Sequence, residues 1–294
     1  MNKVGFIGVG IMGKSMVRNL MKAGFELHIY ARTKSKVEDV IGEGAQFHES
    51  IKDCVQDCDA VITIVGFPQD VEEVYFDQGN ILDSVKKGAY LIDMTTTSPQ
   101  IAEKIYEEGT KRGFHVMDAP VTGGDTGAKA GTLSILVGGE KEDYEACMPL
   151  FEAMGTNINY QGKAGCGQHC KLANQIMIAG TLSGVCEALT YAKEQGLDPE
   201  VFMKSVATGA AGSKQLDTFG PKILKDDYAP GFFMKHFIKD MKLALIEANR
   251  KGLSLDVLSM VLANYEELEQ EGYGDLGTQA LMKFYDEEHR NTEE

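Results

Sequence analysis

The chain is predicted to form an α/β domain built on parallel strands, followed by an all-α domain. Three observations lead there. A short apolar run, Val4-Gly5-Phe6-Ile7, meets a cluster of glycines and then apolar residues at helical spacing. Apolar runs of strand length and helical patterns then alternate as far as Tyr160. Beyond Gly162, Gly165 and Gly167 no convincing strand pattern remains, and the rest reads as helix. The domains are placed at residues 1–163 and 164–294.

Composition narrows the function classes. The chain has 294 residues, 43% of them hydrophobic, which suffices for two cores. A net charge of −15 argues against nucleic acid as a partner, because that partner needs a basic face. Any site for an anionic substrate must then be locally basic. Cys54, Cys58, Cys147, Cys166, Cys170 and Cys186 are scattered along the chain and are read as free thiols of a reducing cytosol. The first strand starts at once, without a signal-peptide layout, so a cytoplasmic location is expected. Leu172 to Ala192 is the most apolar long segment, but Asn174, Gln175 and Glu187 interrupt it. It reads as a buried helix rather than a membrane span.

The first element sets the rest. Gly8-Val9-Gly10-Ile11-Met12-Gly13 spells G-x-G-x-x-G at a strand-to-helix turn, and Met12, Met16, Leu20 and Ala23 carry the helix to Gly24. Gly8 permits the tight turn, Gly10 lets a pyrophosphate approach the backbone, and Gly13 lets the helix pack close to the strand. The free N–H groups at the helix start, with the helix dipole, favour phosphate. This predicts a dinucleotide-binding domain of Rossmann type.

The second strand, Glu26–Tyr30, should end at the adenosine ribose. An acid there would accept from the ribose 2′-OH and select NAD. The sequence instead gives Tyr30-Ala31-Arg32-Thr33-Lys34, with Lys36 close by. A guanidinium suits a 2′-phosphate by charge and fork geometry, so NADP is the expected coenzyme, with NAD possible.

Helical patterns near 34–41 and 49–56 lead to Ala60-Val61-Ile62-Thr63-Ile64-Val65, a run typical of a strand buried on both faces. Its end lies over the cofactor crevice of this fold, so the backbone of Val65, Gly66 and Phe67 is placed beside the dinucleotide. A short helix at 70–76 and a strand at Tyr90–Asp93 follow. Thr95, Thr96, Thr97 and Ser98 then either cap the next helix, Pro99–Arg112, or reach the nicotinamide ribose with a hydroxyl. After Val116-Met117-Asp118 come Thr122, Gly123 and Gly124. Their N–H groups form an anion-binding concavity, or simply a glycine-rich loop. A strand at Thr132–Val137, a helix at Lys141–Met154 and a strand at Asn157–Tyr160 complete the domain.

One helix over Gln168–Gln195 opens the second domain, and helical patterns follow near 199–208, 215–224, 235–251, 256–271 and 277–287. The polar tail, 287–294, is expected to fray. Lys171 and Asn174 are three apart on the long helix, hence on one face. Lys171 either snorkels to solvent or, with its pKa lowered by burial, exchanges a proton near neutral pH. Asn174 could then fix a substrate oxygen. Cys166-x-x-His169-Cys170 is compact but has no second ligand group elsewhere, so no metal is expected. Lys239-Asp240 sits with Lys235, His236 and Lys242 on what reads as a solvated basic face.

Four separated motifs resemble, in order, those of the β-hydroxyacid dehydrogenase family, which includes 3-hydroxyisobutyrate dehydrogenases, tartronate semialdehyde reductases and glyoxylate/succinic semialdehyde reductases. They are Phe6–Gly13 with Asn19-Leu20, Asp118–Gly124 continued by Gly127-Ala128 and Gly131-Thr132-Leu133, Gly165–Gln175, and Lys239-Asp240. The resemblance implies that Lys171 is the general acid/base and that Asn174 orients substrate or lysine. It implies that Thr122, Gly123 and Gly124 hold a substrate carboxylate, and that Thr96 and Lys239 contact the cofactor near its nicotinamide end. It also implies a long interdomain helix and a homodimer or homotetramer. The chain departs from many members at Thr122, where they have Ser, at Val65-Gly66-Phe67, where they have Leu-Pro-Asn, and at Gly277-Thr278-Gln279, where they have Asp-x-Ser.

The expected function is therefore an NADP-preferring oxidoreductase that interconverts a short 3-hydroxy acid, or a related hydroxy acid, and its semialdehyde. Its partner is a small anionic molecule, with no membrane and no nucleic acid. The alternatives are a noncatalytic dinucleotide-binding module for interaction or sensing, and an imine-reducing relative. Both usually lack the lysine that stands here at 171.

Overall fold

The computed structural model describes residues 1–285. The tail expected to fray, 287–294, and the end of the 277–287 helical pattern lie outside the described residues. The chain divides into two compact units, Met1–Lys171 and a second beginning at Leu172.

Among the described residues the first unit holds one nine-stranded sheet. Its strands are β1 (Lys3–Ile7), β2 (Glu26–Tyr30), β3 (Gln46–Phe47), β4 (Ala60–Thr63), β5 (Tyr90–Asp93), β6 (His115–Asp118), β7 (Val121–Thr122), β8 (Leu133–Gly139) and β9 (Gly155–Gly162). The order is β3-β2-β1-β4-β5-β6-β8-β7, with β9 on β8. From β3 to β6 all pairings are parallel, whereas β8 runs antiparallel to β6 and β7. The chain leaves β1 for β2 and β3 on one side and returns to β4 on the other. The crevice between the ends of β1 and β4 is thus the topological switch point, where this architecture takes its ligand.

Alternation along the strands explains their unbroken apolar runs. Val4, Phe6, Ala60, Ile62 and Ile92 face one core with Met16, Val17 and Leu20 of helix α1 (Ile11–Lys22). Ile7, Val61 and Leu91 face a second core with Cys54 and Val55 of α3 (Ile51–Val55), which follows α2 (Glu38–Gly42). That second core also takes Val71 and Val74 of α4 (Pro68–Phe76), Ile81 of α5 (Ile81–Ser84) and Ile105 of α6 (Pro99–Lys111). Both faces are covered, as a parallel sheet requires.

Several local expectations are corrected. The pattern near 34–41 is a 3₁₀ turn at Lys34–Lys36 followed by the short α2. The helix expected at 141–154 breaks at Cys147 into α8 (Lys141–Ala146) and α9 (Met148–Met154), with Pro149 in the first turn of α9, where its missing N–H costs nothing. Helix α7 (Gly124–Ala130) was not expected, because Gly-Asp-Thr-Gly-Ala-Lys-Ala has no apolar stripe to betray it. The two-residue strands β3 and β7 are too short for any alternation to register.

Helix α10 (Cys166–Glu194) runs 29 residues. In the second unit Leu172, Ala179, Leu182, Cys186 and Leu189 pack with α13 (Met234–Arg250) and α14 (Asp256–Gln270), after α11 (Pro199–Val206) and α12 (Lys214–Ile223). Met177 and Tyr191 stay 74% and 67% exposed, so its other side is uncovered. Length and composition alone would let α10 cross a bilayer, but its buried side belongs to this core. Buried Tyr265 anchors α14, its ring edge-on to Phe237 at 5.4 Å and its hydroxyl donating to the Thr278 carbonyl at 2.7 Å. Residues Thr278–Tyr285, in the helical pattern read near 277–287, wind as 3₁₀ helix.

Candidate active site

The turn after β1 is shaped by what its glycines exclude. A Cβ on Gly8, whose φ is +98°, would lie 2.1 Å from the Ile64 carbonyl oxygen. One on Gly13 would lie 2.2 Å from the carbonyl oxygen of Gly8. Both positions need glycine to let β1, β4 and α1 close on each other. Gly10 differs: nothing stands within 4 Å of where its Cβ would be. Gly10 also caps α1 without a side chain, so the N–H groups at the helix start, from Ile11 on, face that open space. A phosphate group can approach the backbone closely in this cradle, where free N–H groups and the helix dipole favour negative charge.

Arg32, just past β2, has a 62% exposed side chain, and its guanidinium donates to Asp70 and, at 3.4 Å, to Glu73 of α4. Those carboxylates hold its pKa above the usual arginine range. The sequence offers no acid at the end of β2, yet the fold delivers two from α4. Thr33 stands at the N-cap position of the 3₁₀ turn that follows, without a side-chain cap hydrogen bond.

At the ends of β4 and β5 a polar network lies under the crevice. Thr63 donates to Asp93 Oδ1 at 2.8 Å and pairs with the Tyr75 hydroxyl at 3.1 Å, and the Thr95 N–H donates to the same Asp93 oxygen. Asp93 is fully buried, its Oδ2 has no hydrogen-bond partner among the described residues, and burial pushes it up to about 6. The Val65 N–H donates to Thr95 Oγ1 at 3.0 Å, which fixes the half-buried Val65 and Gly66 at the rim. Thr96 is half-buried between buried Thr95 and Thr97.

Thr122 ends β7, where it pairs with Ser134 of β8. Gly123 and Gly124 follow at φ +128° and +65°, a backbone that other residues rarely adopt, and open α7 without a side-chain cap. A Cβ on Gly124 would meet open space.

The start of α10 is tied down by buried polar groups. Asp118 accepts from the Gly165 and Gln168 N–H groups, both at 2.8 Å, although burial raises its pKa overall. Lys171, on the next turn, is only 7% exposed. In the second unit a chain of contacts connects two of the expected residues. Asn174 donates to Gln175 Oε1 at 2.8 Å, Gln175 donates to Asp240 Oδ2 at 2.6 Å, and Lys239 pairs with Asp240 Oδ1 at 3.0 Å. Asp240 is fully buried and the Lys239 side chain is 12% exposed, so Lys239 is not on the solvated face expected from its basic neighbours.

Sequence reasoning passed over Asp70, Asp93, Gln168 and Asp240 as functional candidates. For Asp93, Gln168 and Asp240 the available signal was a polar side chain at the end of an apolar strand or inside a helix, where burial without a partner is costly, whereas Asp70 carried no such signal. The free thiols Cys166 and Cys170 gather no ligands. Among the described residues no group of three His, Cys, Asp or Glu side chains is placed to hold a metal ion.

The switch-point crevice with its glycine cradle defines a dinucleotide-binding protein. Residues 3–162 match the family model described as the NAD binding domain of 6-phosphogluconate dehydrogenase. Residues 165–285 match that of the NAD-binding region of NADP-dependent 3-hydroxyisobutyrate dehydrogenase. The chain is 49% identical to the oxidoreductase YkwC of Bacillus subtilis, over 96% of this chain and 98% of that one. It is 37% identical to 2-hydroxy-3-oxopropionate reductase of Escherichia coli, over 86% of each. The structure of Mycobacterium tuberculosis 3-hydroxyisobutyrate dehydrogenase with L-serine superposes with a TM-score of 0.88 at 26% identity, covering 96% of this chain and 98% of that one. The chain belongs to the β-hydroxyacid dehydrogenase family. It is an NAD(P)-dependent oxidoreductase of hydroxy acids, as the resemblance carried by its four motifs implied, while the opening glycine turn had predicted the dinucleotide-binding domain.

Proposed function

We propose that the enzyme prefers NADP and interconverts a short 3-hydroxy acid, or a close relative, with its semialdehyde, using Lys171 as the general acid/base. The observation that carries this reading is the burial of an amine, Lys171, one turn into a helix whose start is fastened to the ends of β5 and β6, beside the cofactor crevice. Lysine is seldom buried, and burial disfavours the charged form of an amine, which suits a group that must give up and take back a proton.

The cradle residues, Gly8, Val9, Gly10, Ile11, Met12 and Gly13, hold the pyrophosphate. Arg32 and Thr33 take the adenosine end, Val65 and Gly66 line the rim, and Thr96 and Lys239 meet the nicotinamide end. When bound, the coenzyme supplies the two-electron exchange with the substrate carbon. Lys171 holds the proton at Nζ, passing it to the aldehyde oxygen in reduction and taking it from the hydroxyl in oxidation. Asn174 donates to the same oxygen. The Gly123 and Gly124 N–H groups and the Thr122 hydroxyl receive the carboxylate, which lets an acidic protein bind an anion through oriented backbone dipoles.

The test is coenzyme oxidation with succinic semialdehyde, glyoxylate, tartronate semialdehyde and methylmalonate semialdehyde, and coenzyme reduction with L-serine, using NADP(H) and NAD(H) in parallel. Turnover with one clear favourite supports the reading. Tight coenzyme binding without turnover on any of them favours the noncatalytic module instead. We also propose that the protein is cytoplasmic, that its domains meet near residue 163, and that a second copy covers the exposed side of α10 and the exposed Val257 and Met260 of α14. A single-chain mass in sedimentation would remove that last proposal.

A further inference from the structure

Gln168 has a role that the reaction itself does not require. Its side chain is fully buried, and both ends of the amide are spent on the segment between β5 and α6. Nε2 donates to the Thr95 carbonyl at 2.7 Å, and Oε1 accepts from the Thr97 N–H at 3.0 Å. The two bonds bracket Thr96, so a side-chain amide substitutes for a strand partner along that stretch. The backbone of the same residue is held from the other side, since its N–H donates to Asp118 Oδ2 while Asp118 Oδ1 receives the Gly165 N–H.

The approach is close enough to demand glycine on both surfaces. A Cβ on Gly167 would lie 2.4 Å from the Leu136 carbonyl oxygen, and one on Gly138 would lie 2.5 Å from Asp118 Oδ1. The first turn of α10 therefore has one seat. Lys171, three residues after Gln168, projects from the next turn on the same side of the helix.

We propose that Gln168 is a positioning residue, a two-ended clamp that holds the loop of Thr96 and the helical turn of Lys171 in one register. The proposal rests on the roles given above to Lys171 and Thr96. A leucine would fill the same space, and a shorter amide would not span both backbone groups. What glutamine provides, whatever the pH, is one donor and one acceptor at a fixed spacing, matched to the Thr95 carbonyl and the Thr97 N–H. A loosened register misplaces the proton-transfer group, and displacements of an ångström are costly in rate.

The experiment compares Gln168→Leu and Gln168→Glu with the unmodified enzyme, and carries Lys171→Ala alongside. Amide hydrogen exchange of residues 94–98, measured on the coenzyme-free protein, reads the clamp without turnover. Gln168→Leu is expected to speed exchange there about tenfold or more while leaving the β1–α1 peptides unchanged. It should lower kcat by about 30-fold or more with KM within about threefold. Gln168→Glu is the conservative variant with a chemical signature. Its ionised carboxylate accepts from Thr97 but repels the Thr95 carbonyl, whereas the protonated acid restores both bonds. Its kcat relative to the unmodified enzyme should therefore climb several-fold as pH falls from about 8 to about 6.

Unchanged exchange at 94–98 in Gln168→Leu overturns the clamp, as does a Gln168→Glu ratio that stays flat with pH. If Gln168→Leu does not fold, the pH dependence of Gln168→Glu decides alone. Undiminished turnover in Lys171→Ala would remove the catalytic reading, and the exchange data would still judge the clamp.

Discussion

The carboxylate of Asp70 faces two ways: Oδ1 receives the guanidinium of Arg32, and Oδ2 caps α4 by accepting the Phe67 N–H at 2.9 Å. A 2′-phosphate arriving at Arg32 must therefore share or displace an acid already in place. On the proposed role of Arg32, selectivity is set by the pair and not by the arginine alone. Asp70→Asn keeps a cap acceptor but removes the competing charge, so the Kd for NADPH should tighten by about three- to tenfold with little change for NADH. Arg32→Asp should weaken NADPH by about tenfold or more and NADH far less. Fluorescence titrations with both coenzymes check this, and equal shifts for both would remove Arg32 and Asp70 from coenzyme choice.

Lys171→Ala separates binding from chemistry. A general acid/base, the role proposed for Lys171, contributes to the transition state and little to dinucleotide binding, so kcat should fall by about 10²- to 10⁴-fold. The Kd for NADPH should stay within about threefold. A loss of coenzyme affinity as large as the loss of rate would show that the lysine supports the fold or the cofactor instead.

Much of this was legible in the sequence because the responsible physics is local. A glycine at each of positions 8, 10 and 13 after an apolar strand has few explanations, and unbroken apolar runs such as Ala60–Thr63 follow from a sheet covered on both faces. Lys171 and Asn174 stood out by charge and polarity in an apolar helix. What stayed hidden was non-local. No window around Arg32 contains Asp70, because the two meet only once β2 and β4 take their places in the sheet. Gln168 and Asp118 looked like ordinary members of glycine-rich motifs, although 50 residues of chain separate the bond they share. Lys239 looked solvated because its sequence neighbours are basic, while Asp240 draws it toward the interior. Helix α7 carries too little apolar surface for periodicity to show.

Asp93 gives the fold a pH dependence of unusual sign for a carboxylate. Burial raises its folded pKa to about 6 from an ordinary value near 3.8. Between those values the folded state binds more protons than the unfolded chain, so this group's contribution to stability is present at low pH and is lost as pH rises through about 6. Asparagine imitates the protonated acid and keeps an acceptor for Thr63 and for the Thr95 N–H. Asp93→Asn should therefore stabilise the protein more at pH 7.5 than at pH 5, by a difference of about 1–2 kcal/mol. Thermal or urea unfolding at both pH values measures it. A gain that is equal at the two, or larger at pH 5, would mean that Asp93 is not carrying a buried charge at neutral pH.

Gly10 and Gly13 are both glycines of the opening turn, yet alanine should act on them in opposite ways. At Gly13 the new methyl would lie 2.2 Å from the Gly8 carbonyl oxygen and 3.2 Å from the ring of Phe6. Neither can yield without lifting α1 from the sheet, so Gly13→Ala should cost about 1–3 kcal/mol of stability with or without coenzyme. At Gly10 φ is −87°, which alanine accepts, and nothing stands within 4 Å of the added methyl. The coenzyme-free Gly10→Ala protein should unfold at nearly the temperature of the unmodified one. The methyl does, however, occupy the space in which a pyrophosphate must approach the backbone, so the affinity for NADPH should fall by about tenfold or more. Thermal unfolding without coenzyme, followed by titration with NADPH, separates the two effects. If Gly10→Ala bound NADPH as tightly as the unmodified protein, the pyrophosphate could not lie against Gly10, and the open space there would need another occupant.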